Sequence, residues 1–143
     1  MKYIVEFIGT FFLVAVVIGS GIMAENISGG NMGVALLGNT IPTGAILYVI
    51  IKMFSPISGA HFNPVVSLIF FLRKELSLLD LIKYIFVQLV GGITAVFIVH
   101  YIFEISIFQV STNTRGEFPL LVSEIIATCG LILTILFIRK NDE

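Results

Sequence analysis

The stretch Ser58-Gly59-Ala60-His61-Phe62-Asn63-Pro64-Val65 decides the fold, because it describes a helix that begins inside an apolar environment. Asn63 is a residue type that caps helix N-termini, and Pro64 suits the first helical position, where no N–H is needed. Gly59 and Ala60 let the preceding backbone lie extended with its carbonyls uncovered, which at membrane depth is tolerable only against water or protein. Val65 to Leu72 is apolar on every face and ends at Arg73-Lys74, too short a run for the ~20 residues of a spanning helix. Lys52 and Arg73-Lys74 belong on one side, so residues 54–72 enter and leave by one face. The reading is a re-entrant loop followed by a half-helix over about 63–72. A surface loop with an interfacial helix is the alternative, but such a helix needs a charged side that this one lacks.

Four longer apolar runs flank this segment, at about 3–23, 33–53, 81–103 and 119–138, each of spanning length. With 57% hydrophobic and 12% charged residues over 143 positions, the chain carries more apolar surface than one small soluble core can hide. A secretory signal is the rival for the first run, but Glu6 interrupts it and it is too long. The expected fold is therefore all-α: a multi-pass membrane protein with four transmembrane helices plus the re-entrant half-helix, forming one domain over 1–143. The lipid bilayer is its first partner.

Net charge is −1, which points to no nucleic-acid partner, and no catalytic or metal-binding constellation stands out. If both termini are cytoplasmic, Lys2, Lys52, Arg73, Lys74, Lys83, Arg139 and Lys140 all face the cytoplasm, and only Arg115 lies outside. That is the positive-inside bias. Cys129 is the sole cysteine, so no intrachain disulfide can form, and it reads as a small packing residue.

The first and fourth runs align with a shift of 118 residues: Glu6-Phe7-Ile8-Gly9-Thr10 falls on Glu124-Ile125-Ile126-Ala127-Thr128. An intramembrane glutamate costs at least ~2.5 kcal/mol, so two at equivalent depth mark an internal repeat.

The run from Ser58 to Val65 resembles the first signature loop of the aquaporin family, commonly Ser-Gly-Ala-His, an apolar residue, then Asn-Pro-Ala. The similarity extends to Glu-x-x-Gly-Thr in the first span, Gly19-Ser20-Gly21, and Gln88 with Gly91-Gly92, and the wording around Ala24-Glu25-Asn26 and Gly38-Asn39-Thr40 is similar to a bacterial branch. The resemblance implies an incomplete aquaporin-like fold and a channel for water or small neutral solutes, with no enzymatic role and no cofactor. It implies that Asn63 donates its amide to solutes in single file, and that Gly59, Ala60 and His61 offer carbonyls beside Pro64 and Val65. Glu6, and Glu124 in the repeat, would brace the loops. The His61 ring is expected to be a packing group. Thr43, twenty residues before Asn63, takes the second-span position of the outer constriction, where a threonine tilts selectivity toward glycerol-like polyols.

Two departures qualify this: Val65 stands where alanine is usual, and Pro42 interrupts the second span beside Thr43. The repeat also places a second Asn-Pro loop 118 residues after Asn63, near position 181, beyond Glu143. The expectation is a truncated or split form, assembling as a homo-oligomer (a tetramer by resemblance) or with a missing second-half chain. The alternatives are a small exporter coupled to protons through Glu6, and a non-conducting assembly partner. An amide at position 6 can still accept, so Glu6→Gln is expected to be mild.

Overall fold

A computed structural model describes residues 1–109 and 116–142. Its described elements are helical: α1 (Lys2–Ile27), α2 (Met32–Ser58), α3 (Pro64–Leu72), α4 (Leu78–Ile102) and α5 (Phe118–Asp142). The chain divides into two compact units, Met1–Ile107 with α1 to α4, and Phe108–Glu143 with α5. Among the described residues, α1, α2, α4 and α5 are long and apolar enough to cross a membrane. The nine residues of α3 reach only ~14 Å, under half of the ~30 Å hydrocarbon core. The chain is an all-α membrane protein of four such helices and one half-length helix.

In the first unit, capping groups set where each helix starts. Asn31 accepts from Gly33 and Val34 N–H to open α2, after a turn in which Gly29 and Gly30 take positive φ. Ser77 accepts from Asp80 N–H to open α4. The exits of α3 and α4 share one motif: Lys74 and Glu104 are left-handed (φ 65° and 56°). Glu75 N–H reaches Phe70 carbonyl and Ile105 N–H reaches His100 carbonyl, the long bond of a Schellman cap. A non-glycine residue there costs about 1–2 kcal/mol, offset by the carbonyls it satisfies.

Helix α2 extends to Ser58, so the irregular backbone is confined to residues 59–63, shorter than the sequence suggests. Pro42 and Pro56 both sit inside α2 without ending it. Each removes one backbone donor, a loss that a helix packed against neighbours tolerates.

Small residues bring α1 against both partners. A Cβ on Gly38 would stand 2.8 Å from the Ala24 Cβ, and one on Gly91 would stand 2.7 Å from the Phe7 carbonyl oxygen. Pairs along the α1–α4 seam climb together: Tyr3 OH donates to Asp80 (2.6 Å), Lys2 pairs with Asp80 (2.9 Å), and Gly19 lies against Val99 and Phe103. These helices are parallel. Along α1–α2 the numbers run oppositely, Ser20 with Asn39 and Glu6 with Ser58, so that pair is antiparallel. Large apolar side chains such as Ile4, Ile41 and Phe86 remain exposed, as lipid-facing surfaces require.

The second unit is described by itself. Glu124 and Cys129 are both exposed on α5, and the exposure of Cys129 differs from the packing role expected of it. Arg115 lies outside the described residues.

Candidate functional site

The site is built around Glu6, which is fully buried. Its Oε1 accepts from Ser58 Oγ (2.6 Å) and His61 N–H (3.0 Å). Its Oε2 accepts from Phe62 N–H (2.8 Å) and Gln88 Nε2 (2.9 Å). All four partners are donors, the set that an acceptor-only carboxylate takes. Ser58 Oγ also accepts from Ala60 N–H (3.1 Å), and Tyr84 OH donates to the Ser58 carbonyl (2.7 Å). The loop is thereby held from α1, from α4 and from its own start.

This arrangement fixes where the loop carbonyls point. In a trans peptide the N–H and C=O of one unit are opposed, and the chain has no cis bonds among its described residues. Since His61 and Phe62 N–H face Glu6, the Ala60 and His61 carbonyls face away from it. Since Ala60 N–H faces Ser58 Oγ, the Gly59 carbonyl faces away from that hydroxyl. Three successive acceptors are turned to the side opposite the Glu6 lock.

The backbone reaches this shape through left-handed conformations at Gly59 (φ 87°), Ala60 (φ 53°) and Phe62 (φ 48°). Glycine takes the first without cost, and the other two cost about 1–2 kcal/mol each. Phe62 is held by packing: its ring lies where a Cβ on Gly9 would be, at 2.0 to 2.5 Å, and meets Phe54 edge-on at 6.2 Å. Asn63 then caps α3, its Oδ1 accepting from Val65 N–H (2.8 Å) with Pro64 at the first position. Asn63 and Pro64 are half-buried and Val65 is exposed.

The His61 ring is buried, stacked on Phe70 (4.6 Å) and edge-on to Tyr84 (5.2 Å). Its Nδ1 lies 3.0 Å from Ser67 Oγ, which accepts from Gln88 Nε2 (3.1 Å). Ser67 thereby links the His61 ring to Gln88 and through it to Glu6. Two buried atoms, Thr10 Oγ1 and Gln88 Oε1, have no hydrogen-bond partner among the described residues.

Gly59, Ala60, His61, Asn63, Pro64, Val65 and Glu6 thus form one cluster. Thr43 is not in it. It is half-buried on α2, two turns or ~10 Å along the helix from Ile50, which packs with Phe62. Its hydroxyl donates to Asn39 Oδ1 (3.3 Å). Ser67 and Tyr84 are cluster members that the motif alone does not reveal, and Ser58 and Gly9, though within quoted motifs, take no role from them. Tyr84 and Gln88 could have been found on the buried stripe Leu81, Tyr84, Gln88, Gly91, Ala95, Val99, whose spacing is helical.

The model of the major intrinsic protein family matches residues 1–143. The chain belongs to that family. A similar major intrinsic protein is the aquaglyceroporin AqpS of Rhizobium meliloti (strain 1021), 41% identical over 135 residues that cover 94% of this chain and 58% of that protein. A probable TIP-type aquaporin of Medicago truncatula is 34% identical, over 91% of this chain and 53% of its own length. The glycerol uptake facilitator protein-like 6 of Lactiplantibacillus plantarum is 30% identical, over 99% of this chain and 65% of its own. The chain spans about half to two thirds of the length of these relatives. No solved structure matches it. Major intrinsic proteins are, as a family, channels and not enzymes.

Proposed function

We propose that this chain supplies one half of a channel for water and small neutral solutes of the glycerol type. The observation that carries the reading is the row of carbonyls at Gly59, Ala60 and His61, turned from the Glu6 lock and leading to the start of α3. A solute moving along that row finds acceptors first, then the Asn63 amide. Because Asn63 Oδ1 is engaged by Val65 N–H, the side chain offers its Nδ2 hydrogens as donors. The α3 N-terminus adds a partial positive charge of about half a unit, which opposes cations and leaves neutral solutes unaffected. Glu6 is the brace and Glu124 its counterpart in the repeat. Thr43 lines the outer constriction and favours polyols.

The proposal includes a single membrane domain over 1–143 in the cell membrane, with both termini cytoplasmic, and a partner that completes the pore, either further copies or a second half. Proton-coupled export through Glu6 is less well supported. Each of its oxygens is occupied by two donors, and proton uptake would have to displace one of them.

The test is stopped-flow light scattering on vesicles. Relatives are longer and the repeat is inverted, so residues 1–143 alone are expected not to raise water or glycerol permeability. The chain fused to a matching second half is expected to raise both, and Asn63→Leu to abolish the gain. Glycerol flux that survives Asn63→Leu in the fusion overturns the reading.

A further inference from the structure

We propose that Asn39 is a positioning residue that sets the direction of the Thr43 hydroxyl, holding it off the backbone as an acceptor for a solute hydroxyl. The proposal rests on Thr43 lining the constriction. A threonine inside a helix ordinarily returns its proton to the carbonyl four residues back, and Thr40, Thr94 and Thr134 do so, to Leu36, Val90 and Gly130 at 2.7 to 2.8 Å. Thr43 instead donates to the Asn39 side-chain oxygen at 3.3 Å.

The same oxygen accepts from Ser20 of α1 at 3.0 Å. Asn39 is half-buried there, its Nδ2 beside Gly21 of α1, where a Cβ would stand 3.4 Å away in ordinary contact. An amide oxygen has two lone pairs, and both are engaged. Each hydroxyl has one proton, and both protons are committed to Asn39. Thr43 therefore shows only lone pairs to anything else that meets it. It accepts a hydrogen bond from a hydroxylated solute and gives none. Without the Asn39 side chain, Thr43 has the carbonyl of residue 39 as its nearest acceptor, and its oxygen turns back against the helix.

The test has two arms. In vesicles carrying the chain completed by a second half, Thr43→Val, Asn39→Leu and the double variant are compared by the ratio of glycerol to water permeability. One lost hydrogen bond to the solute corresponds to a fall of roughly 2- to 10-fold in that ratio. Asn39→Leu is expected to lower it as Thr43→Val does, and the double variant no further. A structural role alone lowers both permeabilities in proportion and leaves the ratio unchanged, which overturns the proposal. An unchanged ratio in Thr43→Val overturns instead the reading of Thr43 on which it rests. In the second arm, infrared spectra of residues 1–143 with carbon-13-labelled asparagine need no conduction. Ser20→Ala and Thr43→Val should each raise the frequency of one side-chain carbonyl band, and Asn39→Leu should remove that band. If neither hydroxyl deletion moves it, the amide is reversed, Asn39 does not take the Thr43 proton, and the proposal fails.

Discussion

Replacing Glu6 by glutamine tests the donor arrangement at the heart of the site. Judged from sequence the change is mild, since an amide oxygen still accepts. The structure revises that expectation, because each carboxylate oxygen serves two donors. A glutamine amide group at the Oε1 position leaves His61 N–H without an acceptor, although Ser58 can rotate its hydroxyl to accept. At the Oε2 position it leaves Phe62 N–H without one. There Gln88 could reverse its own amide, whose Oε1 is otherwise unengaged. Either way one buried backbone N–H is orphaned, at a cost of about 1–3 kcal/mol. That corresponds to local opening made roughly 5- to 150-fold more frequent. Hydrogen–deuterium exchange on the chain in nanodiscs reads it directly, with the amides of His61 and Phe62 expected to exchange faster by that factor. The amides of α4 near Ala95 should be unchanged. Glu6→Leu removes all four bonds and should abolish protection in the loop. Exchange at both positions within twofold of wild type in Glu6→Gln would refute the accounting.

Other outcomes follow from close packing and from topology. Gly91→Ala forces a Cβ to within 2.7 Å of the Phe7 carbonyl oxygen and should lower stability by about 1–3 kcal/mol, whereas Gly92→Ala meets only Val14 at 3.7 Å and should be neutral; thermal melts by circular dichroism separate them. Gly9→Ala collides with the Phe62 ring and should raise exchange in residues 60–62, and adding Phe62→Leu should recover part of the loss. Tyr84→Phe deletes the bond to the Ser58 carbonyl and should cost about 1 kcal/mol in the same melts. Cysteines placed at Lys2 and Lys74 should react only from the cytoplasmic side and one at Arg115 only from outside; external reaction at position 74 with protection at position 2 would mean that residues 54–72 cross the bilayer.

Much of the fold is legible because its signals are long or strong. Runs of about twenty apolar residues announce spans, and Asn63-Pro64 before a run too short to cross announces a half-helix. The end of α2 was less legible. Lys52 and Pro56 look like a boundary, yet neither prevents helical hydrogen bonding by its neighbours, and the stop is Gly59, whose left-handed φ and N–H to Ser55 close the helix. The motif also omits the parts of the site that lie far away in sequence. Nothing local marks Gly9 as the seat of the Phe62 ring, or Ser67 as the link between Gln88 and His61. Those assignments depend on α1, α3 and α4 meeting at one depth, which a single sequence does not encode in its spacing.

The Glu6 network also ties the bracing of this loop to the solute path proposed for its carbonyls. Ala60 and Phe62 together hold about 2–4 kcal/mol of left-handed strain, so the loop has no intrinsic preference for its shape. Two backbone bonds to a carboxylate, at about 1.5–3 kcal/mol each, are sufficient to offset that strain. The donors that make those bonds lie in the same peptide units as the carbonyls of Ala60 and His61. A change that frees the donors therefore rotates the acceptors as well. This is why an apolar side chain at position 6, which lies on the far side of the loop from the proposed solute path, should disturb that path as directly as a change at Asn63.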